Sequence, residues 1–367
     1  MPDHTQDSLP KTMNAMVTMG HGDLDQLVFH KAWPCPRPSA GEVLIKVAAC
    51  GLNNTDVNTR SGWYSKAVSE ATTGGAFDKV NDDDPTWGGA PITFPRIQGA
   101  DVCGVIVAVG KDVDPARIGE RVITDNWLRD PSDLTNKDKT GYYGSERDGG
   151  FAQYTTLPAT NALAINAPHF SDAELATFSC SYSTAEGMLT RAQVTASDTV
   201  LIPGASGGVG SALVQLAKLR GATVIAMASP TKHADVAKLN PDMILDRAPA
   251  SLRAALGEHK ITVVADVVGG PYWPQLIDIL ERGGRYTCSG AIAGPMVELD
   301  LRTFYLRDLT FTGSTVIAPQ VTQNLIRYIE AGQIKPVLAA TYPLNELRTA
   351  QAAFIAKAHT GNIVVIP

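Results

Sequence analysis

The spacing of apolar residues changes near residue 170 and divides the chain into two parts. Before that point, short apolar runs such as 43–47 and 102–109 are bounded by Gly and Pro, a pattern typical of β-strands. After it, apolar strands alternate with amphipathic helices, which indicates a parallel sheet covered on both faces. This second part is predicted to contain strands at 200–202, 223–228, 263–268 and 285–290, helices at 208–220 and near 274–281, and a closing strand at 363–366. The predicted fold class is α/β, with a doubly wound parallel sheet and a separate β-rich domain.

One long segment interrupts the β-rich part. Residues 65–95 are rich in Gly, Asp and Thr and show little periodicity, so they are predicted to form a long loop. Loops of this size are usually functional or mobile. We expect this loop to frame a pocket, with Trp87 and Phe94 in its wall, together with a lobe that carries Tyr142 and Tyr143.

Length and composition exclude several classes of protein. A chain of 367 residues suits two domains, and its net charge of −6 provides no field that would attract nucleic acid. The sequence has no apolar run long enough to span a bilayer, and residues 1–12 read as a polar, mobile tail without a secretion signal. The five cysteines are scattered and form no CxxC pair, which favours a reducing compartment. We therefore expect a cytoplasmic protein that binds neither nucleic acid nor membrane.

A glycine-rich turn lies between the strand at 200–202 and the helix that follows it. The pyrophosphate of a dinucleotide needs a tight turn, a backbone that it can approach closely and free N–H groups at a helix N-terminus. The sequence supplies these with Gly204, Ala205, Ser206, Gly207, Gly208, Val209 and Gly210. Two alternatives stay open. The turn can be purely structural, or Ser206 can be the nucleophile of a hydrolase elbow, with Asp266 and His359 as its partners.

The end of the next predicted strand indicates which nicotinamide cofactor is used. Enzymes that prefer NAD carry an acidic residue there, which binds the ribose 2′-hydroxyl. This chain instead has Ser229, Thr231 and Lys232, which offer hydrogen-bond donors and a positive charge to a 2′-phosphate. The sequence therefore favours NADPH, with the alternative that Lys232 only caps a solvated helix face.

With the glycine turn, several further segments resemble the medium-chain dehydrogenase/reductase superfamily over nearly the whole chain. They are GEVLIKV at 41–47, CGLNNTD at 50–56, PRIQGADVCG at 95–104, VAVG at 107–110, GERV at 119–122 and GGFAQY at 149–154. The resemblance implies a GroES-like catalytic domain, formed by residues 1–165 and 319–367, and a Rossmann domain at 166–318. It also implies a homodimer that forms through an edge strand near 309–313.

The residues that bind zinc in the zinc-dependent members of that family are mostly replaced here. Asn53 and Asn54 stand where those enzymes have Cys followed by His or Arg, and Asp101 ends a Gly-Ala-Asp in place of their Gly-His-Glu. Cys180 alone matches a ligand, and a catalytic zinc needs three protein ligands. We therefore expect no metal. The substitutions resemble the zinc-independent branch of quinone oxidoreductases and enone or enal reductases.

The resemblance also implies roles for individual residues. Asn53 is expected to face the nicotinamide, with Asp56 supporting the site, and Thr55 to donate to the substrate or to serve in packing. Tyr64 resembles a tyrosine of quinone reductases and can donate to the substrate oxygen, or it can form an apolar wall with Trp63. Val268, Ser289 and Gly290 follow predicted strands at the edge where ligands of doubly wound sheets bind, so they are expected to contact the cofactor, and the resemblance adds Ser314. Asn362 replaces a lysine common in the family, which removes a cationic contact.

These observations predict an oxidoreductase that transfers hydride from NADPH to a small molecule. The favoured substrates are an activated C=C bond, as in an enone or enal, or a quinone, without zinc. A zinc-free carbonyl reductase or alcohol dehydrogenase and a non-catalytic NADPH-binding protein are the alternatives.

Overall fold

Strands and one longer helix build the first part of the chain in the computed structural model, which describes residues 9–72, 84 and 91–367. The strands are β1 (Thr12–Thr18), β2 (Leu27–Pro34), β3 (Glu42–Leu52), β4 (Asp101–Val109), β5 (Arg121–Thr124), β6 (Trp127–Leu128), β7 (Gly141–Tyr142), β8 (Tyr154–Pro158) and β9 (Ala162–Ala164). Helix α1 (Asn54–Ser61) follows β3 directly. The apolar runs predicted at 43–47 and 102–109 are therefore confirmed as strands.

The remaining elements alternate between strand and helix. The helices are α2 (Asp172–Leu175), α3 (Ser179–Arg191), α4 (Gly208–Leu219), α5 (His233–Ala237), α6 (Leu252–Leu256), α7 (Trp273–Asp278), α8 (Leu301–Leu306), α9 (Pro319–Glu330) and α10 (Leu347–Ile355). The strands are β10 (Thr199–Ile202), β11 (Thr223–Ala228), β12 (Met243–Asp246), β13 (Ile261–Asp266), β14 (Leu280–Cys288), β15 (Thr310–Gly313), β16 (Leu338–Pro343) and β17 (Asn362–Ile366).

The second part forms a parallel sheet of six strands in the order β12-β11-β10-β13-β14-β15. The strand order reverses between β10 and β13, and ligands of open α/β sheets bind at the carboxyl ends of the strands that flank such a reversal. Buried apolar residues cover both faces of this sheet, as in Leu213 and Leu216 of α4 on one side and Leu276 of α7 on the other. The predicted doubly wound sheet is confirmed.

The first part folds around a second sheet, in the order β16-β17-β3-β4-β5-β9, with β8 also paired to β3. β17 lies antiparallel to β3, so the C-terminal strands belong to the sheet of the β-rich part. α9, in contrast, buries Leu325 and Ile329 in the same core cluster as α4. The chain thus leaves the β-rich part once and returns to it at its end.

β14 begins earlier than the sequence predicts. The predicted strand starts at residue 285 and the predicted helix extends to 281, whereas α7 ends at Asp278 and β14 starts at Leu280. The register of β14 against β13 shifts between Leu280 and Arg285. Gly283, with φ +73°, lies within this irregularity and gives the strand an extra bend. An irregular strand with internal glycines does not show the alternation that the prediction relied on.

The described parts of the predicted loop, 65–72 and 91–95, contain neither helix nor strand. Trp87 and residues 1–8 lie outside the described residues. Phe94 packs its ring at 85° against His21, with centroids 4.9 Å apart. Within the described chain, no helix is both long enough and apolar enough to cross a membrane.

Candidate active site

A cavity of about 590 Å³ lies between the β-rich part and the carboxyl ends of the six parallel strands. The turns after β10, β11, β13 and β14 form one side, and the start of α1 and the segment after α10 form the other. Most of the residues that the sequence analysis singled out meet in this cavity. They are Asn53, Thr55, Tyr64, Gly204, Ser206, Gly207, Gly208, Val209, Gly210, Ser229, Lys232, Val268, Ser289 and Gly290.

The glycine turn needs its glycines for close packing. Gly204 has φ +68°, and a methyl group on Gly210 would lie 2.1 Å from the Gly204 carbonyl oxygen. A methyl group on Gly208 would lie 2.4 Å from Oδ1 of Asn362. α4 begins at Gly208, so the N–H groups of its first turn face the cavity, as an anionic ligand requires. Ala205 differs from the rest of the turn, because it is fully buried in the core and does not line the cavity.

The hydrolase alternative is not supported by the surroundings of Asp266. Its buried carboxylate accepts hydrogen bonds from the backbone N–H of Val268 at 2.7 Å and from the Tyr286 hydroxyl at 2.8 Å. His359 packs instead beside the Phe354 ring, with centroids 5.5 Å apart. Burial and nearby lysines lower the pKa of His359 to about 4. The acid and the base of the postulated triad therefore have other partners.

Near the end of β11, positively charged residues line the cavity, and none of the described lining residues is acidic. Lys232 donates from Nζ to the carbonyl oxygens of Lys357, at 2.7 Å, and His359, at 2.6 Å, so it ties the C-terminal segment to the sheet. Arg247, which follows β12, lines the same cavity and was missed by the sequence analysis. Burial and the charge of Arg247 lower the pKa of Lys232. Lys232 therefore does more than cap a solvated helix face.

On the side of the cavity that α1 forms, Tyr64 belongs to a small polar cluster with that helix. Its hydroxyl is hydrogen-bonded by the side chains of Thr55 and Asn58, and burial raises the pKa of Tyr64 to about 12. The tyrosine therefore stays protonated at neutral pH and can act as a donor. The sequence analysis did not single out Asn58. Its position three residues after Thr55, on the same helical face, is the signal that was available.

Asn53 and Asp56 are held rigidly by the start of α1. One carboxylate oxygen of Asp56 accepts the backbone N–H of Asn53 at 2.8 Å, and the other accepts that of Gly99 at 3.1 Å. Burial raises the pKa of Asp56 to about 7. Burial raises the pKa of Asp101 to about 6, and the nearby side chain of Asn53 partly offsets that rise. Nδ2 of Asn53 has no hydrogen-bond partner of good geometry in the described chain, and the residue lines the cavity.

Cys180 lies in the wall of the cavity beside aromatic residues. Its backbone N–H donates to Asp101 at 2.9 Å, and burial raises the pKa of its thiol. Tyr142 also lines the cavity and packs edge-on against Trp127, with ring centroids 5.0 Å apart, whereas Tyr143 is fully buried. Among the described residues, no group of three or more His, Cys, Asp and Glu side chains is arranged to hold a metal ion.

Ser314 is a second site residue that the structure places away from the cavity. Its backbone N–H donates to the Cys288 carbonyl at 2.8 Å, and this bond turns the side chain towards Gly187 of α3. Ser314 is 1% exposed, while its neighbour Thr315 lines the cavity. At this point of the chain Thr315, and not the predicted Ser314, lines the cavity.

The segment after α10 covers the glycine turn. The Gly361 N–H donates to the Ser206 carbonyl at 2.8 Å, and Oδ1 of Asn362 accepts from the Ser181 hydroxyl at 2.8 Å. Lys357 and His359 line the cavity from this segment, and the sequence analysis gave neither of them a cofactor contact. They are more than 140 residues from the glycine turn along the chain, so no local pattern connects them to it.

Both parts of the chain match the models of known protein families. Residues 39–167 match the alcohol dehydrogenase GroES-like domain, and residues 208–331 match the zinc-binding dehydrogenase domain. The NADPH-dependent alkenal/one oxidoreductase of Arabidopsis thaliana chloroplasts is 27% identical, over 98% of this chain and 81% of that protein. The human quinone oxidoreductase is 25% identical, over 97% of this chain and 98% of that protein.

A solved structure extends the likeness to the whole fold. A Sinorhizobium meliloti 1021 protein assigned as an alcohol dehydrogenase is 46% identical, with a TM-score of 0.87 and 98% of each chain covered. This agreement confirms a GroES-like domain combined with a Rossmann domain. The chain therefore belongs to the medium-chain dehydrogenase/reductase superfamily of oxidoreductases.

Proposed function

We propose that the protein uses NADPH to reduce an activated C=C bond, as in an enone or enal, or a quinone, without zinc. The observation that carries this proposal is the donor cluster of Asn53, Thr55 and Tyr64 at one end of the cavity that the glycine turn lines. Relatives described as an alkenal/one oxidoreductase and a quinone oxidoreductase support the same substrate class.

The lining of the cavity fits a phosphorylated dinucleotide. Backbone N–H groups of the turn at 204–210 and the start of α4 suit a pyrophosphate, and Ser229, Lys232 and Arg247 suit a 2′-phosphate. Val268, Ser289 and Gly290 line the same cavity. When bound, NADPH supplies the hydride.

The protein's own contribution is electrostatic. Reduction of a conjugated carbonyl or a quinone builds negative charge on the substrate oxygen, and a fixed donor stabilises that charge. Tyr64 is such a donor, because Thr55 and Asn58 hold its hydroxyl in place. Asn53 offers a second donor through its unpartnered Nδ2, and Asp56 positions Asn53 through its backbone. Aromatic walls from Trp63, Trp127 and Tyr142 suit a planar, neutral substrate.

The first test is oxidation of NADPH and NADH with a quinone, an enone, a 2-alkenal, an aldehyde and a ketone, each with and without a zinc chelator. We expect turnover of the enone or quinone, unaffected by chelator, with NADPH favoured over NADH by about tenfold or more in kcat/KM, because the extra phosphate gains charge-assisted hydrogen bonds. Turnover of the aldehyde or ketone alone would instead identify a carbonyl reductase. Tight NADPH binding without turnover would identify a binding protein.

We also propose that the protein forms a homodimer through the β15 edge of the six-stranded sheet. Beside this edge, α8 and the segment before it expose apolar side chains, including Met296 (73%), Leu301 (65%) and Leu306 (55%). Contiguous exposed apolar surface of this kind marks protein interfaces.

The variant Leu306→Glu places a charge on that surface and is expected to convert a dimer into a monomer of 38.9 kDa. Light scattering coupled to size exclusion measures the mass. Leu134→Glu, at an exposed leucine of the β-rich part, is the matched control and should leave the mass unchanged. A wild-type protein that is monomeric at micromolar concentration would contradict the proposal.

A further inference from the structure

The ammonium group of Lys357 contacts only neutral groups among the described residues. The residue follows α10 with φ +51° and lines the cavity. Its Nζ donates to Oδ1 of Asn54 at 2.7 Å and lies 3.7 Å from the centre of the Phe354 ring. The amide oxygen and the ring are neutral, so they hold the ammonium group in place without balancing its charge.

Among the described residues, the charge that acts on Lys357 is that of another cation, Lys232. Lys232 reaches the Lys357 carbonyl from the β11 side, with Arg247 beside it, and His359 is uncharged at neutral pH because its pKa is about 4. Asp235 is the carboxylate that faces Lys232, and it is ion-paired with Lys238 at 2.7 Å. Lys357 itself makes no ion pair with a described residue. Burial and Lys232 accordingly lower the pKa of Lys357 to about 7.

One buried amide group adds a donor to the same cavity. Nδ2 of Asn362 lacks a partner in the described chain, and this residue is 4% exposed. The N-termini of α1 and α4 also open here, at Asn54 and Gly208. Buried donors without acceptors are rare in native proteins, and this one shares a cavity with a lysine that forms no ion pair with a described residue. A ligand with several anionic oxygens would offer acceptors to both Nδ2 of Asn362 and Nζ of Lys357.

We propose that Lys357 is a phosphate-binding residue for the dinucleotide and supplies the cationic contact that Asn362 does not provide. This proposal rests on the proposed function in so far as NADPH is the ligand. The pyrophosphate and the 2′-phosphate of NADPH share the relevant chemistry, a phosphate oxygen that accepts from an ammonium group. The start of α1 at Asn54 favours the pyrophosphate, whereas Lys232 and Arg247 favour the 2′-phosphate.

The test compares wild-type protein, Lys357→Met and Lys260→Met for binding of NADPH and NADH by isothermal titration calorimetry at pH 6.5. Methionine keeps the unbranched stem beside Phe354 and removes the charge. Lys260 is exposed and lies outside the cavity, so its variant controls for loss of one positive charge. We expect Lys357→Met to raise the Kd of NADPH by about tenfold to a hundredfold, the range for a charge-assisted hydrogen bond, and Lys260→Met to leave it unchanged.

The two cofactors distinguish the two phosphates. An equal loss for NADPH and NADH would assign Lys357 to the pyrophosphate, and a loss for NADPH alone would assign it to the 2′-phosphate. A folded Lys357→Met protein that binds both within twofold of wild type would overturn the inference while leaving the proposed function standing. A wild-type protein that binds neither cofactor would overturn both.

Proton uptake by the wild-type protein provides a second measurement that does not depend on a variant. Near pH 8 the free Lys357 is mostly uncharged, and a bound phosphate favours its ammonium form, so binding should take up a proton. The Kd of NADPH should be flat below pH 7 and rise above it. Asp56 and Asp101, with pKa values of about 7 and 6, titrate nearby, and Lys357→Met retains both. Proton uptake that is identical in wild type and variant would count against Lys357.

Discussion

Replacing Tyr64 with Phe is expected to lower kcat for reduction of an enone by about a hundredfold, the typical effect of removing one donor to a developing oxyanion. The ring stays in the cavity wall, and only the hydroxyl that Thr55 and Asn58 hold is lost. The Kd of NADPH should change by less than about twofold, because the variant removes only a hydroxyl group that is assigned to the substrate and not to the cofactor. Steady-state kinetics and calorimetric titration measure the two quantities.

The matched control for this variant is Tyr342→Phe, at a tyrosine of β16 that does not line the cavity. Its kcat should equal that of the wild type. If Tyr64→Phe also retains full kcat, the phenol is not a donor to the substrate, and Trp63 and Tyr64 form only an apolar wall. Asn53, with its unpartnered Nδ2, would then be the next residue to replace.

The second large effect is expected from Gly210→Ala. The added methyl group would lie 2.1 Å from the Gly204 carbonyl oxygen and 2.8 Å from the Ala205 Cα, and both neighbours are backbone atoms that cannot move independently. We expect a loss of about 1–3 kcal/mol in the free energy of unfolding and a rise of at least about a hundredfold in the Kd of NADPH. Chemical denaturation and calorimetry measure these changes.

Gly207→Ala separates the effect of the turn on the stability of the fold from its effect on NADPH binding. Gly207 has φ −79°, and the nearest atom to an added methyl group is 3.6 Å away, so the fold accommodates alanine. Its free energy of unfolding should match that of the wild type within about 0.5 kcal/mol. Binding of NADPH should still weaken, because Gly207 lines the cavity where the pyrophosphate would approach the protein backbone closely. Unchanged binding in both variants would mean that the turn is purely structural.

Much of the fold is predictable from the sequence because its strands and helices are regular. The strands β10 and β11 and the helix α4 carry uninterrupted apolar patterns, and their observed bounds lie within two residues of the predicted ones. β14 departs from its prediction because Gly283 introduces an irregularity that only pairing with β13 explains. The loop at 65–95 was predicted as a loop from its composition, but composition does not determine where Phe94 packs.

The candidate site is predictable where its residues are close together in sequence. The glycine turn and the block at 50–56 each bring several lining residues into one short segment. Arg247 and Lys357 were missed because each lies alone in an unremarkable polar stretch, and only the tertiary fold places them beside Lys232. Ala205 and Ser314 were included because they belong to matching segments. A matching sequence segment predicts the path of the backbone. Whether a given side chain points into the cavity or into the core depends on how the neighbouring helices pack.

The contact between Gly361 and Ser206 has a consequence for how the site is assembled during synthesis. The ribosome produces the glycine turn at 204–210 more than 140 residues before the segment that covers it. Domains generally fold in order from the N-terminus as they emerge, so the six-stranded sheet can form before residue 361 exists. A nascent chain at that stage has an open turn without Lys357 or Asn362. A sheet that forms at that stage therefore forms without the contacts that this segment makes with the turn, and the covered form of the turn arises only after residue 361 has emerged.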